Sequence, residues 1–234
     1  MKNQLDTPFS TDPAAELVAM LAHDLRGSVT TIKGFSQLAL RQCPPPPPLS
    51  AYLQAVVNES NRVAALIDDL VLLSQFESEP QLFRIGPADV REVLALAVQQ
   101  SHELYAARQV VVEPIQTALP IWCDVQVTGR ALMRLISTLL RYCSEKQPVT
   151  ISATLGLDGP LVGLSSMSDI TSSRFPALKR ALGTTGSSKD EGLSASGLGL
   201  YLGRRLIELQ GGRVWIEQSL EVGVRFVVML PQQR

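Results

Sequence analysis

The chain has 234 residues, of which 45% are hydrophobic and 18% are charged, a composition that is ordinary for a globular protein with a packed core. Its 21 basic and 22 acidic side chains leave a formal charge of -1, without the basic excess that is typical of nucleic-acid-binding proteins. No stretch approaches the roughly 18 uncharged apolar residues of a membrane span, and the N-terminus lacks the apolar run of a signal peptide. We therefore expect a cytoplasmic protein with no membrane span and no nucleic-acid partner.

Residues 11–41 carry the pattern of a long helix, because apolar or small side chains recur at alternating steps of three and four. These side chains are Val18, Leu21, Leu25, Ser28 or Val29, Ile32, Phe35 and Ala39. Asp12 followed by Pro13 is a start signal, an N-cap with proline in the first turn. Five prolines at 44–48 should stop the helix and form a short polyproline II connector.

A second helix should follow, with Ser50 as its N-cap and an apolar period that continues to about Gln75. The residues with this period are Leu53, Val56, Val63, Ile67 and Leu70. Two antiparallel helices joined by a short loop form a hairpin, and each helix would be roughly 45 Å long. A hairpin of this length cannot bury its own apolar stripe, whereas two copies can pack as a four-helix bundle. The sequence therefore predicts a homodimer.

From Gln81 onward, strands and helices are mixed. In chain order, the predicted elements are a strand at QLFRIG, a helix over 88–107, strands at QVVVEP and IWC, a helix over 130–144, strands at PVTISATL and PLVGLS, a helix over 198–209, and strands at RVWIEQS and VRFVVMLP. The last helix should end at Gly211 and Gly212, as helices with C-terminal glycine caps do, and a tight turn near Glu221–Gly223 should join the last two strands. This pattern predicts an α+β protein with two domains, a helical hairpin at 1–80 and an α/β sandwich with a mixed sheet at 81–234.

His23 is the first residue along the chain with a candidate catalytic role. If Val18 and Leu25 are a positions and Leu21 is a d position, His23 falls at f, on the outward face of the helix. An imidazole there can act as a nucleophile, and Asp24 can accept one ring proton and leave the other nitrogen free to attack. The helical period alone favours a solvated surface histidine.

Two longer motifs change this interpretation. The stretch LVAMLAHDLRGSVTTIKGF resembles the H-box of two-component histidine kinases, which reads H-[ED]-L-R-T-P-L-T-x-I-x-G. Some 175 residues later, SGLGLYLGRRLIELQGGRVWIEQS is similar to the family's second glycine box with the helix and strand that follow it. Gly197 and Gly199, with Leu198 between them, would let the backbone approach phosphate at a helix N-terminus, where amide donors and the helix dipole favour anions.

The resemblance covers about residues 14–231, which is nearly the whole chain. It implies a dimerisation and histidine-phosphotransfer hairpin that forms a dimeric four-helix bundle, followed by a catalytic ATP-binding domain. In such a protein His23 would be the phosphorylated residue.

The chain departs from the family in the N-box, which binds Mg²⁺ at the nucleotide phosphates. Thr138 and Tyr142 stand where the family has two asparagines. Tyr142 cannot replace a carboxamide as a compact metal ligand, and Thr138 offers one oxygen at most. We therefore predict no metal ligand at these positions, and a weakly neutralised triphosphate.

The first glycine box, D-x-G-x-G in the family, is matched by position alone. Ser165, Met167 and Asp169 stand in the places of the aspartate and the two glycines. The resemblance implies that Ser165 takes the position that accepts a hydrogen bond from the adenine amino group. A slip of one residue would put Ser166 in that position.

Residues 170–196 are rich in Ser, Thr, Gly and Lys and have the length of a nucleotide lid. In this segment Lys179, Arg180 and Lys189 either meet phosphates or form a solvated surface.

In the H-box, Gly27 replaces the residue that positions water for dephosphorylating the partner regulator. Ser28 replaces the proline that bends the helix.

The resemblance thus implies a histidine kinase that uses ATP and Mg²⁺ to phosphorylate His23 and then passes the phosphoryl group to a response-regulator receiver domain. One alternative is a pseudokinase or phosphotransferase that relays phosphate through His23 without using ATP. Another is an adaptor that dimerises with a true kinase through the hairpin. The regular second glycine box favours the kinase, whereas Thr138, Tyr142 and Ser165 favour a relay. About ten residues precede the first helix, so we expect the signal to come from a separate sensor protein or to act directly on the two domains.

Overall fold

The computed structural model of the chain describes residues 13–42, 46–105, 108–142, 147–167, 195–219 and 223–232. The chain divides into two compact units, Met1–Pro80 and Gln81–Arg234. The division falls where the sequence changes from long helical periods to mixed strands and helices.

The first unit is a pair of long helices, α1 over Pro13–Gln42 and α2 over Pro47–Ser78. The predicted cap of α2 at Ser50 is wrong, because the helix already begins at Pro47 and its N-cap is Pro46. Proline is tolerated in a first helical turn, where its missing N–H would have no intrahelical partner and its fixed φ suits the helix. Pro47 and Pro48 therefore belong to the helix and not to the predicted polyproline connector. Asp12, the predicted cap of α1, lies outside the described residues.

The core of this hairpin is narrow. Its buried apolar side chains are Ala22, Val57, Leu66, Ile67, Leu73 and Phe76. Four members of the predicted α1 stripe remain exposed instead, with exposed fractions of 52% for Leu21, 53% for Leu25, 53% for Ile32 and 69% for Phe35. The contact between α1 and α2 therefore leaves the apolar stripe of α1 uncovered.

The second unit contains a mixed sheet with helices against it, which confirms the predicted α+β class. Its five-stranded sheet has the order β2-β4-β5-β7-β6, with one parallel pair, β2 and β4. These strands are β2 Val110–Val112, β4 Val149–Leu155, β5 Pro160–Ser166, β6 Arg213–Ser219 and β7 Gly223–Met229. A separate antiparallel pair joins β1, Gly86–Asp89, to β3, Pro120–Cys123.

The first strand of this unit lies later than predicted. A single 3-10 turn occupies Pro80–Leu82, and the strand begins only at Gly86. The backbone N–H of Arg84 donates to the Asp124 carboxylate at 2.9 Å. This N–H is therefore not available to a strand partner, and the ladder starts beyond it.

Three helices complete the described part of the second unit: α3 over Val90–Leu104, α4 over Val125–Tyr142 and α5 over Ala195–Glu208. The start of α4 is five residues earlier than predicted. Its first turn is stabilised by Asp124, whose Oδ1 accepts the N–H groups of Gln126 and Val127 at 3.1 Å each. A carboxylate at this position satisfies amides that have no partner within the helix.

Helix α4 lies at the centre of the helical layer, and most of its side chains are buried. Glycines allow both neighbouring helices to approach it closely. A Cβ at Gly129 would lie 2.7 Å from the Leu96 side chain of α3, and a Cβ at Gly203 of α5 would lie 2.9 Å from the carbonyl oxygen of Ala131. The sheet contributes fully buried side chains to the same core, including Ile151, Leu164 and Phe226.

The glycine cap predicted for α5 is confirmed. Gly212 donates its N–H to the carbonyl of Ile207 at 3.1 Å, and Gly211 donates to Glu208 at 2.9 Å. Gly211 has a φ of +88°, in the left-handed region where glycine is favoured. These two bonds form a Schellman motif, which ends the helix. Of the turn predicted near Glu221–Gly223, only Gly223 lies within the described residues.

Candidate functional site

His23 lies on the outward face of α1, as predicted from the heptad register. Its side chain is 86% exposed, and its Nδ1 lies 3.4 Å from Oδ1 of Asp24, which is itself 78% exposed. This distance is long for a hydrogen bond, so Asp24 orients the ring weakly. With a proton on Nδ1, the lone pair of Nε2 remains available for attack.

A cross-hairpin ion pair lies one turn beyond His23. Nε and Nη2 of Arg26 both donate to Oδ1 of Asp68 on α2, at 3.1 and 2.8 Å. Sequence reasoning missed this pair, because a helical period gives the face of each residue but not the register between two helices. The pair joins α1 to α2 close to His23.

Several residues just after this ion pair weaken the helix. Gly27 has no atom within 4 Å of the position that a Cβ would occupy, so packing does not require a glycine there. The next hydroxyl side chains bond back to carbonyls four residues earlier: Ser28 to Asp24 at 3.2 Å, Thr30 to Arg26 at 2.7 Å and Thr31 to Gly27 at 3.0 Å. Such bonds slightly weaken and bend helices, and a mid-helix glycine does so as well.

In the second unit, α4 and α5 run in opposite directions. Gln210, just after α5, contacts Asp124 before α4, and Gly203 lies against Ala131 one third of the way along α4. At 1.5 Å per residue in both helices, continuing from these two contacts brings Gly199 level with Leu135 and Gly197 level with Ser137. The start of α5, with its two glycines, therefore lies beside the last turns of α4.

Gly197 and Gly199 are buried, and Leu198 between them is half-buried. Residues 168–194 precede this helix and lie outside the described residues. That range contains Asp169, Lys179, Arg180 and Lys189 and nearly all of the predicted lid.

Thr138 is buried, and its Oγ1 donates to the carbonyl of Arg134 at 2.8 Å. Its hydroxyl proton is therefore used within its own helix. Tyr142 is half-buried at the last position of α4. Neither side chain is a carboxylate, the ligand type through which proteins usually hold Mg²⁺. Across the part of the chain that the structure describes, no group of three or more His, Cys, Asp or Glu residues could hold a metal ion.

The two candidate serines on β5 point in opposite directions, because side chains alternate along a strand. Ser165 is half-buried, and its Oγ donates to the carbonyl of Thr150 at 3.3 Å. Ser166 is buried on the same face as Val162 and Leu164, the face packed against α4. For a ligand held between the sheet and the helices, the geometry therefore favours Ser166 over Ser165.

A buried amide, which sequence reasoning missed, fixes the other end of α5. Oε1 of Gln210 accepts the N–H of Asp124 at 2.8 Å and the hydroxyl of Thr128 at 3.2 Å, while its Nε2 donates to the Leu206 carbonyl at 3.0 Å. Together with the close approach at Gly203, this contact attaches α5 to α4 at two points. The direction in which the start of α5 points is set by these two contacts.

Three groups in the described part of the second unit, Asp89, Arg91 and Cys123, have clearly shifted pKa values. The side-chain hydrogen bond from Arg91, helped by the backbone N–H groups of Arg91 and Leu119, holds the pKa of Asp89 below its usual range. Burial raises the pKa of the Cys123 thiol. Cys123 is a free, buried cysteine and is therefore a poor nucleophile.

Comparison with known proteins agrees with this arrangement. Residues 14–79 match the His Kinase A (phospho-acceptor) domain. The chain is 28% identical over 222 residues to the alginate biosynthesis sensor protein KinB of Pseudomonas aeruginosa. This match covers 93% of this chain and 37% of KinB. The chain is 26% identical over 225 residues to the histidine protein kinase DivJ of Caulobacter vibrioides, covering 93% of this chain and 37% of DivJ.

The fold is also similar to the crystal structure of full-length ShkA in complex with AMPPNP. The TM-score is 0.62 at 17% identity, and the match covers 93% of this chain and 46% of ShkA. Residues 14–79 therefore form a histidine-kinase phosphoacceptor domain, and the chain has the architecture of a sensor histidine kinase core, as its motifs imply.

The chain spans 37% of the length of KinB and of DivJ. Among the helices that the structure describes, none is both long enough and apolar enough to cross a membrane.

Proposed function

We propose that this chain is the catalytic core of a two-component histidine kinase. It binds ATP where α5 begins beside the end of α4, phosphorylates His23, and transfers the phosphoryl group to an aspartate of a response-regulator receiver domain. The exposure of His23 on a phosphoacceptor hairpin is the observation that carries the proposal. The reaction belongs in the cytoplasm, where ATP is available.

The geometry at His23 suits an in-line transfer. The lone pair of Nε2 attacks the γ-phosphorus, an N–P bond forms, and the bond from phosphorus to the β,γ-bridging oxygen breaks, so that ADP leaves. The proton on Nδ1 passes to the carboxylate of Asp24, 3.4 Å away, or to water. In the second transfer, an aspartate oxygen of the receiver attacks the phosphorus, the N–P bond breaks, and Nε2 regains its lone pair.

The start of α5 supplies the binding energy for the triphosphate. Backbone N–H groups at a helix N-terminus and the positive end of the helix dipole attract anions. Gly197 and Gly199 let phosphate approach this backbone, with Leu198 between them. Lys179 and Arg180 in the preceding segment add positive charge in this proposal, and Thr138, Tyr142 and Ser165 or Ser166 border the nucleotide.

The kinase core is proposed to work as a homodimer. The exposed stripe of Leu21, Leu25, Ile32 and Phe35 on α1 is the apolar face that a second hairpin would bury, and each buried side chain contributes about 1.5–3 kcal/mol. The change Phe35→Glu should shift the chain from dimer to monomer in multi-angle light scattering. Thr30→Glu, on the outward f face, is the matched control and should remain dimeric, and a monomeric wild type would exclude the dimer.

A phosphate relay that does not use ATP is the second candidate. It is favoured by Thr138, whose hydroxyl proton bonds to its own helix, and by the replacement of the family's two asparagines by Thr138 and Tyr142. Calorimetric titration with ATP separates the two candidates. The kinase proposal predicts saturable heat that is lost in Gly199→Val, whereas the relay predicts no heat with ATP and labelling of His23 by a phosphorylated receiver domain.

A further inference from the structure

The ion pair between Arg26 and Asp68 is well aligned but easy to break. Both donated hydrogen bonds go to the same carboxylate oxygen, at 3.1 and 2.8 Å, and the two side chains are 42% and 45% exposed. Exposed pairs of this kind contribute little to stability, because water and salt screen them. A stronger anion nearby would therefore compete successfully for Arg26.

His23 is the site where such an anion would appear. Arg26 follows it by three residues, so the two side chains are neighbours on the helix surface, with Cβ atoms about 5–6 Å apart. Long side chains in helices lean towards the N-terminus, which is the direction from Arg26 to His23. Arg26 is also the only lysine or arginine between residues 13 and 32, and Arg62 is the only one between 47 and 78.

We propose that Arg26 changes partners when His23 is phosphorylated, leaving Asp68 and binding the phosphoryl group. This inference depends on the proposed phosphorylation of His23. A phosphoryl group carries up to two negative charges and three acceptor oxygens, and the planar guanidinium fork matches it in two bonds. Asp24 beside it adds a further negative charge, which strengthens the field that attracts Arg26.

The exchange has a consequence for the hairpin. When Arg26 leaves Asp68, the ion pair that joins α1 to α2 is lost. This pair lies immediately before the weakened segment of α1, residues 27–31. The helix can then bend or separate from α2 at that point with little cost. The phosphorylation state of His23 is thereby communicated to the packing of the two helices.

The test uses the full chain and phosphoramidate, a small phosphodonor that reaches an exposed histidine without an ATP site. The pKa of the phosphoryl group on His23 is then measured by ³¹P NMR titration. Arg26→Gln should raise this pKa by roughly 0.3, because a neighbouring cation favours the dianion. The same substitution at Arg41, on the same helix but five turns away from His23, should leave the pKa unchanged.

Asp68→Asn provides the opposite result. It removes the competitor for Arg26 and should lower the phosphoryl pKa below that of the wild type. Equal pKa values in wild type, Arg26→Gln and Asp68→Asn would overturn the partner exchange while leaving His23 as the phosphoacceptor. Absence of any ³¹P signal that depends on His23 would overturn both the exchange and the proposed function.

Discussion

The substitution Gly203→Ala tests how α5 is held against α4. An added Cβ would lie 2.9 Å from the carbonyl oxygen of Ala131, 3.2 Å from Cβ of Arg134 and 3.3 Å from the side chain of Leu135. The first contact is with backbone, which cannot rotate away, so the helices must separate. Overpacking of this kind costs about 1–3 kcal/mol. The higher helix propensity of alanine returns about 1 kcal/mol, which leaves a net loss of about 1 kcal/mol.

Urea unfolding followed by tryptophan fluorescence measures this loss selectively, because both tryptophans, Trp122 and Trp215, lie in the second unit. With a denaturant slope of about 1–3 kcal/mol/M, the midpoint should fall by roughly 0.5 M. Gly27→Ala is the matched control: no atom lies within 4 Å of its new Cβ, so it should stabilise the hairpin by about 1 kcal/mol and leave the fluorescence midpoint unchanged. A higher midpoint for Gly203→Ala than for wild type would show that α5 does not lie against the Ala131 backbone.

Three further predictions concern the second unit. The hydrogen bond from Arg91 lowers the pKa of Asp89, so the stability that Asp89 contributes is complete above the ordinary carboxyl pKa and is lost as pH falls through its lowered folded value. The urea midpoint should therefore fall less between pH 7 and pH 3 in Asp89→Asn than in the wild type. An equal fall in both proteins would contradict this prediction. Gln210→Leu leaves the buried N–H of Asp124 without its acceptor and should cost about 1–3 kcal/mol in urea unfolding, whereas Gln99→Leu, at an exposed position of α3, should cost little. The buried Cys123 thiol should react with a thiol reagent only at the rate of unfolding, which mass spectrometry of the modified peptide would measure; rapid labelling of the native chain would be inconsistent with its burial.

Sequence reasoning identified the elements that depend on local pattern. The helical period located α1 and the outward face of His23, and the glycine pair after Leu209 located the end of α5. These features could be predicted because each depends on residues within one or two turns. The mixed α+β class followed from the order of the elements.

The starts of several elements depend on distant contacts and could not be predicted from local pattern. The start of α4 and the delayed first strand both depend on Asp124, which accepts N–H groups from its own helix and from Arg84, 40 residues earlier. The hydrogen bond that the Asp124 N–H donates to Oε1 of Gln210 joins residues that are 86 positions apart. Sequence alone offers no signal for such pairings.

The candidate site shows the same limit. Side chains alternate between the two faces of a strand, but the sequence does not show which face of β5 lies against α4. It therefore could not distinguish Ser165 from Ser166. Arg26 and Asp68 lie on predicted helices, but their pairing depends on how far one helix is displaced along the other. Lys179, Arg180 and the lid-like segment lie outside the described residues and stay predictions.

Autophosphorylation of His23 is the central claim, and labelling with γ-³²P-ATP tests it most directly. Purified wild type and His23→Ala would be incubated with ATP and Mg²⁺, and then with Mn²⁺, and the acid-labile label would be counted. The proposal predicts label on the wild type that is absent from His23→Ala. No label on the wild type with either metal ion would contradict the kinase function.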